Sequence, residues 1–311
     1  MILCVTPNPA VDRTLVVHRF EKGSIFRTEE TVVIAGGKGI NVARTVQLLG
    51  GNATCAGFLA GYAGRFIADS AQNDGLAGAW TILEKRESRT CIILVDSETD
   101  QSTVINEVGP VLNKADWKQF EADILKASES AAIICFCGSL PPNSDLEIFT
   151  DILRQLLATG KRVWVDSSGD ALKAATTVEG IAIKVNDEEA SELLNQHIVD
   201  VDSAAKAAKA LHERSSAPIV LTLGADGAIF ANNDSLLHAV SPTVDVKNTV
   251  GSGDAFFAGL LVALEKGVSA SDALRQATAA GTANALNVGM ATFTMDEWQE
   301  LAHNTLVRTL N

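Results

Sequence analysis

Ala132-Ile-Ile-Cys-Phe-Cys137, a helical pattern over 145–158 and Lys161-Arg-Val-Trp-Val-Asp166 follow one another with little between them. The first and last are short apolar runs of strand length. The segment between them places Leu146, Phe149, Ile152, Leu153, Leu156 and Leu157 at helical spacing. Strands that are apolar on both faces, joined by a helix, are the mark of a parallel sheet covered on both sides. Toward the C-terminus, Gly180-Ile-Ala-Ile-Lys184 and Ala217-Pro-Ile-Val-Leu-Thr-Leu223 repeat the strand, with helices expected over 188–195 and 201–214. Ala228-Ile-Phe-Ala231 and Leu236-Leu-His-Ala-Val240 read as a closing hairpin, and the chain from Ser252 onward reads as mostly helical.

Toward the N-terminus the pattern changes. The stretches 15–18, 30–34, 90–95 and 102–105 are strand candidates without a helix each, interleaved with helical stretches over 40–49 and 65–73. The expectation is an α/β protein with a mostly parallel sheet, spanning 1–311 as one domain. A small β-sheet lid would be inserted from about 11–34 and 88–107. No repeat of 20–50 residues and no low-complexity linker interrupts this reading.

The 311 residues carry 25 Lys and Arg against 38 Asp and Glu, a formal charge of −13. That balance argues against a general nucleic-acid binder, whose affinity rests on clustered cations. No run approaches the ~20 apolar residues of a membrane span. The N-terminus, Met1-Ile-Leu-Cys-Val-Thr-Pro-Asn-Pro9, lacks the basic and small-residue features of a signal peptide. The five cysteines (Cys4, Cys55, Cys91, Cys135 and Cys137) lack disulfide-scaffold spacing, and Cys135-Phe-Cys137 has no companion Cys/His cluster for zinc. Four of them lie in or beside apolar stretches and read as small buried hydrophobes, and the odd count fits a reducing cytoplasm.

Five glycine-bearing segments carry candidate chemistry. Ala35-Gly-Gly-Lys-Gly-Ile-Asn41 opens a helical pattern, where adjacent glycines allow close backbone approach and helix amides attract anions. It is not a phosphate loop of the Walker type, because Gly39 rather than Ser or Thr follows Lys38. Asn248-Thr-Val-Gly-Ser-Gly-Asp254 also opens a helix. Backbone amides at Gly251, Ser252 and Gly253 could hold a phosphoryl group, and Asp254 in the first turn could accept a proton. An acidic residue there also suits the helix dipole with no ligand at all. Lys184-Val-Asn-Asp-Glu-Glu189 ends a strand, and Asn186 and Glu189, three apart, would face the same way and could order Mg²⁺-bound water. Plain helix capping explains the pair equally well. Thr222-Leu-Gly-Ala-Asp-Gly227 and Gly138-Ser-Leu-Pro-Pro142 follow strands and also suit tight turns.

Their order along the chain decides between these readings. Asn8-Pro-Ala-Val-Asp12, Gly36-Gly-Lys-Gly-Ile-Asn41, Gly138-Ser-Leu-Pro-Pro142, Val165-Asp-Ser-Ser-Gly169, Lys184-Val-Asn186 with Glu189, Leu223-Gly-Ala-Asp-Gly227 and Thr249-Val-Gly-Ser-Gly-Asp254 occur together in register. In this the sequence resembles the PfkB/ribokinase family of carbohydrate kinases over essentially its whole length. Within that family it resembles the 1-phosphofructokinase/tagatose-6-phosphate kinase group. Val185 stands where the family usually has proline, which loosens the turn and keeps both polar neighbours.

The resemblance implies a ribokinase-like three-layer α/β/α core and Mg²⁺/ATP-dependent phosphorylation of a sugar. Asp254 matches the general base, and Gly251, Ser252 and Gly253 match the anion hole. Asp12, Gly37, Lys38, Asn41 and, more loosely, Ser139 fall at the sugar site. Lys184, Thr222, Gly224, Gly227 and Asn284 fall on the ATP side, and Asn186 and Glu189 hold the metal through water. Arg27 and Arg89 lie where sugar-phosphate kinases carry basic residues. With Lys38 they give an acidic protein three cations for a phosphate group. The implied reaction converts fructose 1-phosphate or tagatose 6-phosphate to the bisphosphate. Alternatives are a kinase of fructose 6-phosphate or a free sugar, and an inactive sugar-binding regulator. An NAD-dependent dehydrogenase is disfavoured, since Phe256 stands where a dinucleotide fingerprint needs glycine. The partners implied are a sugar phosphate and ATP, with no nucleic acid, no membrane, and a homodimer through lid strands.

Overall fold

A computed structural model describes residues 1–28, 30–99, 101–287 and 289–310. Along the chain come β1 (Ile2–Val5), β2 (Ala10–Val17), β3 (Glu30–Gly36), α1 (Lys38–Leu48), β4 (Ala53–Ala60), α2 (Gly61–Asn73), β5 (Ala77–Leu83), β6 (Arg89–Asp96) and β7 (Gln101–Asn106). There follow α3 (Lys114–Ser128), β8 (Ile133–Cys137), α4 (Leu146–Ala158), β9 (Arg162–Asp166), α5 (Gly169–Ala175), β10 (Ala182–Asn186), α6 (Asp187–Leu194) and α7 (Val201–Ser215). The last part holds β11 (Ile219–Thr222), β12 (Ala228–Ala231), β13 (Leu236–Val240), α8 (Ser252–Glu265), α9 (Ala270–Ala285), α10 (Met295–Asn304) and β14 (Leu306–Thr309).

Ten strands form the main sheet in the order β14-β13-β12-β11-β10-β9-β8-β1-β4-β5. From β11 to β5 the neighbours are parallel, and β12, β13 and β14 close the other edge antiparallel. The central strands are apolar and buried on both faces. β1 (Ile-Leu-Cys-Val) and β8 (Ile-Ile-Cys-Phe-Cys) have no exposed residue, because helices cover the sheet above and below. Cys4 pairs in register with both Cys55 and Cys135, so three thiols lie side by side inside one core layer, and all five cysteines are buried.

One core layer is built around α8, which is apolar on every side and buried from Asp254 to Ala263. It lies close to α9 because Gly259 meets Ala277 and Ala280 with no room for a side chain. The opposite layer packs α3, α4, α5 and α7 side chains such as Phe120, Leu153, Leu172 and Leu211 on the other face.

The second sheet has four strands in the order β3-β2-β6-β7. β2 continues from β1 through 6–9, and β3 runs into α1 through Gly37 alone. The small sheet is thus tied to the carboxyl edge of the main sheet. That edge also contains a switch point: after β1 the chain builds β4 and β5 on one side, then crosses to β8 on the other. Ligands of open α/β sheets collect at such a crevice. Among the described residues, no helix is long and apolar enough to cross a membrane.

Candidate active site

Helix beginnings show where polar groups were left open. Among the described residues, six of the ten α-helices begin on Asn, Asp, Ser or Thr side chains that accept a backbone amide of the first turn. α1 and α8 instead begin on glycines with positive φ, Gly37 at 118° and Gly251 at 78°, and neither has a side-chain cap. Their N-terminal amides, with the positive ends of two helix dipoles, face the same crevice. Asn41 in the first turn of α1 joins them, donating Nδ2 to Asp254 Oδ2 in the first turn of α8 at 2.9 Å.

Gly251 takes its left-handed conformation with Met290 packed against it, so that a Cβ would overlap the Met290 sulfur. Among the described residues, the amides of Gly251, Gly253 and Asp254 meet no backbone acceptor. The Ser252 amide, expected from sequence to belong to this set, is donated to the Thr249 carbonyl at 3.1 Å. The open donors therefore flank Ser252. Asn284, expected on the ATP side, is fully buried behind this loop. It donates to the Val250 carbonyl at 3.0 Å and accepts the Ala291 amide at 3.1 Å, and so braces the turn from within.

Beneath the two helix ends lies a charged group that sequence reading quoted only as part of a motif. Asp166, last residue of β9, has no exposed surface, and its two oxygens hold one lysine each: Lys38 at 3.0 Å and Lys184 at 3.1 Å. Burial pushes the Asp166 carboxyl up, but the charges of Lys184 and Lys38 outweigh it and hold the group below its ordinary value. The same carboxylate raises Lys38 well above the ordinary lysine value, against the effect of burial, with Asp254 and Glu189 adding to it. Lys38 keeps 38% of its side-chain exposure and can reach an incoming ligand, whereas Lys184 keeps 5% and forms part of the floor. A Cβ on Gly253 would stand 3.3 Å from Lys184 Nζ, which puts that ammonium directly under the open loop.

Asp254 shares this crowded space without a cation of its own. Burial, and then the charge of Asp166, raise its pKa from 3.8 to about 6, while Lys38, Asn41 and Lys184 pull the other way. A helix N-terminus favours a carboxylate by ~0.3–1 kcal/mol, and here desolvation is the larger effect. The result is a buried carboxyl poised to exchange a proton near neutrality.

The small sheet contributes a second group. Asp12, on β2, contacts Gly36 so closely that any side chain there would displace its carboxylate. Burial raises Asp12, and Arg89 and Arg44 partly offset it. Arg89 enters on β6 next to Asp12 and donates Nε to the Asn8 carbonyl at 3.0 Å. Gly37 lies against Thr6 and Pro9. Among the described residues, Thr6 Oγ1 and Asn8 Oδ1 are buried here without a hydrogen-bond partner; from sequence Thr6 has no role and Asn8 enters only as the first residue of a motif. Arg27 is exposed on the connection between β2 and β3 and makes no hydrogen bond or ion pair among the described residues. Ser139 is exposed just beyond β8, next to Gly138, which lies against the stem of Lys38.

On the far side of the crevice, the β10 end carries the buried Lys184 and, two residues on, the half-buried Asn186. Asn186 accepts the Glu189 amide at 2.7 Å and Glu189 accepts the Asn186 amide at 2.9 Å, a reciprocal cap for α6. Each side chain uses one oxygen position on the cap and retains polar capacity beyond it. Among the described residues, no group of three or more His, Cys, Asp and Glu could enclose a metal. These hard oxygen groups fit a cation held through water, the usual manner of Mg²⁺ beside phosphates. Thr222 donates to the Val185 carbonyl at 3.3 Å, and the 224–227 turn beyond it is closed by the Leu223 amide donating to the Gly227 carbonyl at 2.8 Å, with no room for a side chain on Gly227 beside the Ala239 carbonyl.

Residues 5–297 match the family model described as pfkB family carbohydrate kinase. The chain is 35% identical over 277 residues to 1-phosphofructokinase of Haloferax volcanii, covering 88% of each chain. It is 30% identical over 304 residues to tagatose-6-phosphate kinase of Staphylococcus epidermidis, covering 97% of each. The crystal structure of phosphofructokinase-2 from Escherichia coli in complex with substrates and products superposes with a TM-score of 0.90 at 29% identity, covering 97% of this chain and 98% of the other.

Proposed function

The chain belongs to the pfkB family of carbohydrate kinases and is a phosphotransferase with an alcohol group as acceptor; within that family we propose that it transfers the γ-phosphoryl group of ATP to a ketohexose monophosphate, fructose 1-phosphate or tagatose 6-phosphate, giving the bisphosphate. The observation that carries the reading is the meeting of Asp254, raised to about 6, with open helix amides and two lysines held by one buried carboxylate.

In this reading the sugar lies between Asp12 and Asp254, and its attacking hydroxyl gives its proton to Asp254 Oδ1, since Oδ2 already accepts from Asn41. The open amides of Gly251 and Gly253 receive charge that develops on the transferring group. Lys38 and Lys184 neutralise phosphate oxygens without moving far, because Asp166 already holds them in place. Mg²⁺, held by Asn186 and Glu189 through water, would supply further neutralisation of phosphate charge. Thr222, Gly224 and Gly227 would border the nucleotide, and Asn284 would act on that side by holding the 250–252 turn.

The substrate's own phosphate would meet Arg89 beside Asp12, with Arg27 carried in on the small sheet acting as a lid. Fructose 6-phosphate is the second reading, favoured by 30% identity over 302 residues to the ATP-dependent 6-phosphofructokinase isozyme 2 of Escherichia coli. ADP release measured side by side with fructose 1-phosphate, tagatose 6-phosphate, fructose 6-phosphate and free fructose separates these. Arg89→Gln and Arg27→Gln should each raise KM about tenfold for the preferred phosphorylated sugar, the equivalent of ~1.4 kcal/mol. Turnover of free fructose alone would remove the substrate-phosphate roles of Arg27 and Arg89, and with them any contact of Lys38 to that second phosphate.

A cytoplasmic homodimer completes the proposal. The small sheet exposes Val32, Val104 and Ile105, and pairing of lid strands between two chains would cover them. Val104→Lys should then lower the sedimenting mass to that of a monomer.

A further inference from the structure

Asp254 owes its one side-chain hydrogen bond among the described residues to an amide that could sit either way round. Asn41 donates Nδ2 to Asp254 Oδ2. Turned over, Asn41 would press its own carbonyl oxygen against that carboxylate, acceptor against acceptor. Arg44, nearly one turn further along α1, donates Nη1 to Asn41 Oδ1 at 3.3 Å. Arginine has donors only, so the end of the amide that faces it must be the oxygen, and the NH₂ end is left facing Asp254. Arg44 is itself fixed from a third element. Its Nε is donated to Asp74 Oδ2 at 2.8 Å, at the end of α2, and its side chain is 13% exposed.

We propose that Arg44 is a positioning residue for phosphoryl transfer: anchored by Asp74, it locks the Asn41 amide in the orientation that donates to Asp254. The catalytic meaning of this lock rests on Asp254 being the general base. The groups facing Asp254 are Asp166 from β9, Lys38 and Asn41 from α1, Lys184 from β10 and the Cys137 thiol from β8. Those facing Arg44 are Asp74 at the end of α2, Asn41 from α1, Asp12 from β2 and the Cys55 thiol from β4. A hydrogen bond donated to the ionised carboxylate favours that form. Losing the lock therefore lets Asp254 titrate higher.

The test is carbon-13 NMR of aspartate-labelled full-length protein without substrates, with Asp254→Asn identifying the Asp254 signal. Arg44→Gln should raise the Asp254 midpoint by about half a unit to one unit, the scale of one hydrogen bond. Asn41→Ala should raise it at least as far, and Arg44→Gln should add nothing in the Asn41→Ala background. An unmoved midpoint overturns the proposal. An equal shift in the Asn41→Ala background also overturns it, since Arg44 would then act by its charge alone. If Arg44→Gln fails to fold, Asp74→Asn loosens the anchor instead; it should move the midpoint upward by less, and no movement counts against the lock. The titration needs no turnover, so it stands apart from the substrate question. In the active enzyme, Arg44→Gln should also move the acidic limb of kcat/KM with the midpoint. A moved midpoint with an unmoved limb keeps the lock and overturns the base role beneath it.

Discussion

Replacing Asp254 with asparagine should abolish most activity and at the same time make the protein more stable near neutral pH. The wild-type carboxyl titrates at about 6 in the folded protein against 3.8 for an ordinary aspartate. Between those two values the folded protein keeps a proton that the unfolded chain has released, so stability falls as pH rises through that window. The whole cost of the buried charge stands above pH ~6. A separation of about two units corresponds to ~3 kcal/mol, an upper figure because the new amide must still find partners. At ~2 cal/mol/K of unfolding entropy per residue, a chain of this length converts that into ~5 °C. Urea denaturation of both proteins at pH 7.5 and pH 4 checks it. Asp254→Asn should gain ~1–3 kcal/mol at pH 7.5 and little at pH 4, where both side chains are neutral, while kcat falls about 10²–10⁴-fold. A variant less stable than wild type at pH 7.5, or equally stabilised at both pH values, would refute the view that an ionised carboxylate is held there at a cost. Near-normal turnover would refute its role as base.

The wild-type kcat/KM should fall on the acid side of a limb near pH 6, as Asp254 takes up its proton; a flat profile from pH 5 to 8 would contradict this. Asp166→Asn leaves Lys184 buried with no carboxylate and Lys38 without its anchor, so unfolding free energy should drop by roughly 3–5 kcal/mol in a denaturant titration. Gly251→Ala puts a side chain at φ 78° into the space of Met290. It should cost about 1–3 kcal/mol of stability and reduce kcat more than it raises KM for the sugar. Met290→Ala in the same chain should recover part of the stability and little of the kcat.

The parallel half of the fold was legible because its strands are continuous apolar runs between amphipathic helices. β8, β9, β10 and β11 lie within or beside the stretches read as strands. β1, β4, β5 and β14 were not read as strands. β4 and β5 are rich in Ala and Gly (Ala53-Thr-Cys-Ala-Gly; Ala77-Gly-Ala), residues with little strand preference of their own, and parallel pairing holds them in place. β2 begins at Ala10, five residues before the apolar run that marked it, because Asp12 and Arg13 interrupt the hydrophobic pattern within the ladder. β14 is a four-residue edge strand, too short to break the helical impression of the C-terminus.

The glycine turns and Asp254 could be found locally, since special backbone conformations leave a sequence mark. Asp166 and Arg44 could not. Their roles depend on partners brought together by the sheet: Asp166 meets Lys38 across 128 positions, and Arg44 acts through an Asn41–Asp254 contact spanning 213. No periodicity carries such pairings. Conversely, the reciprocal cap of Asn186 and Glu189 was one of the two readings the local spacing offered, and the structure realises it.

Phosphorus-31 NMR of the product formed from fructose 1-phosphate and ATP tests the central claim most directly. One new phosphomonoester on the sugar should appear for each ADP released, with the original ester intact, and that signal should be lost in Asp254→Asn. ADP release with no new sugar ester, or a new ester only on an unphosphorylated sugar, would contradict it.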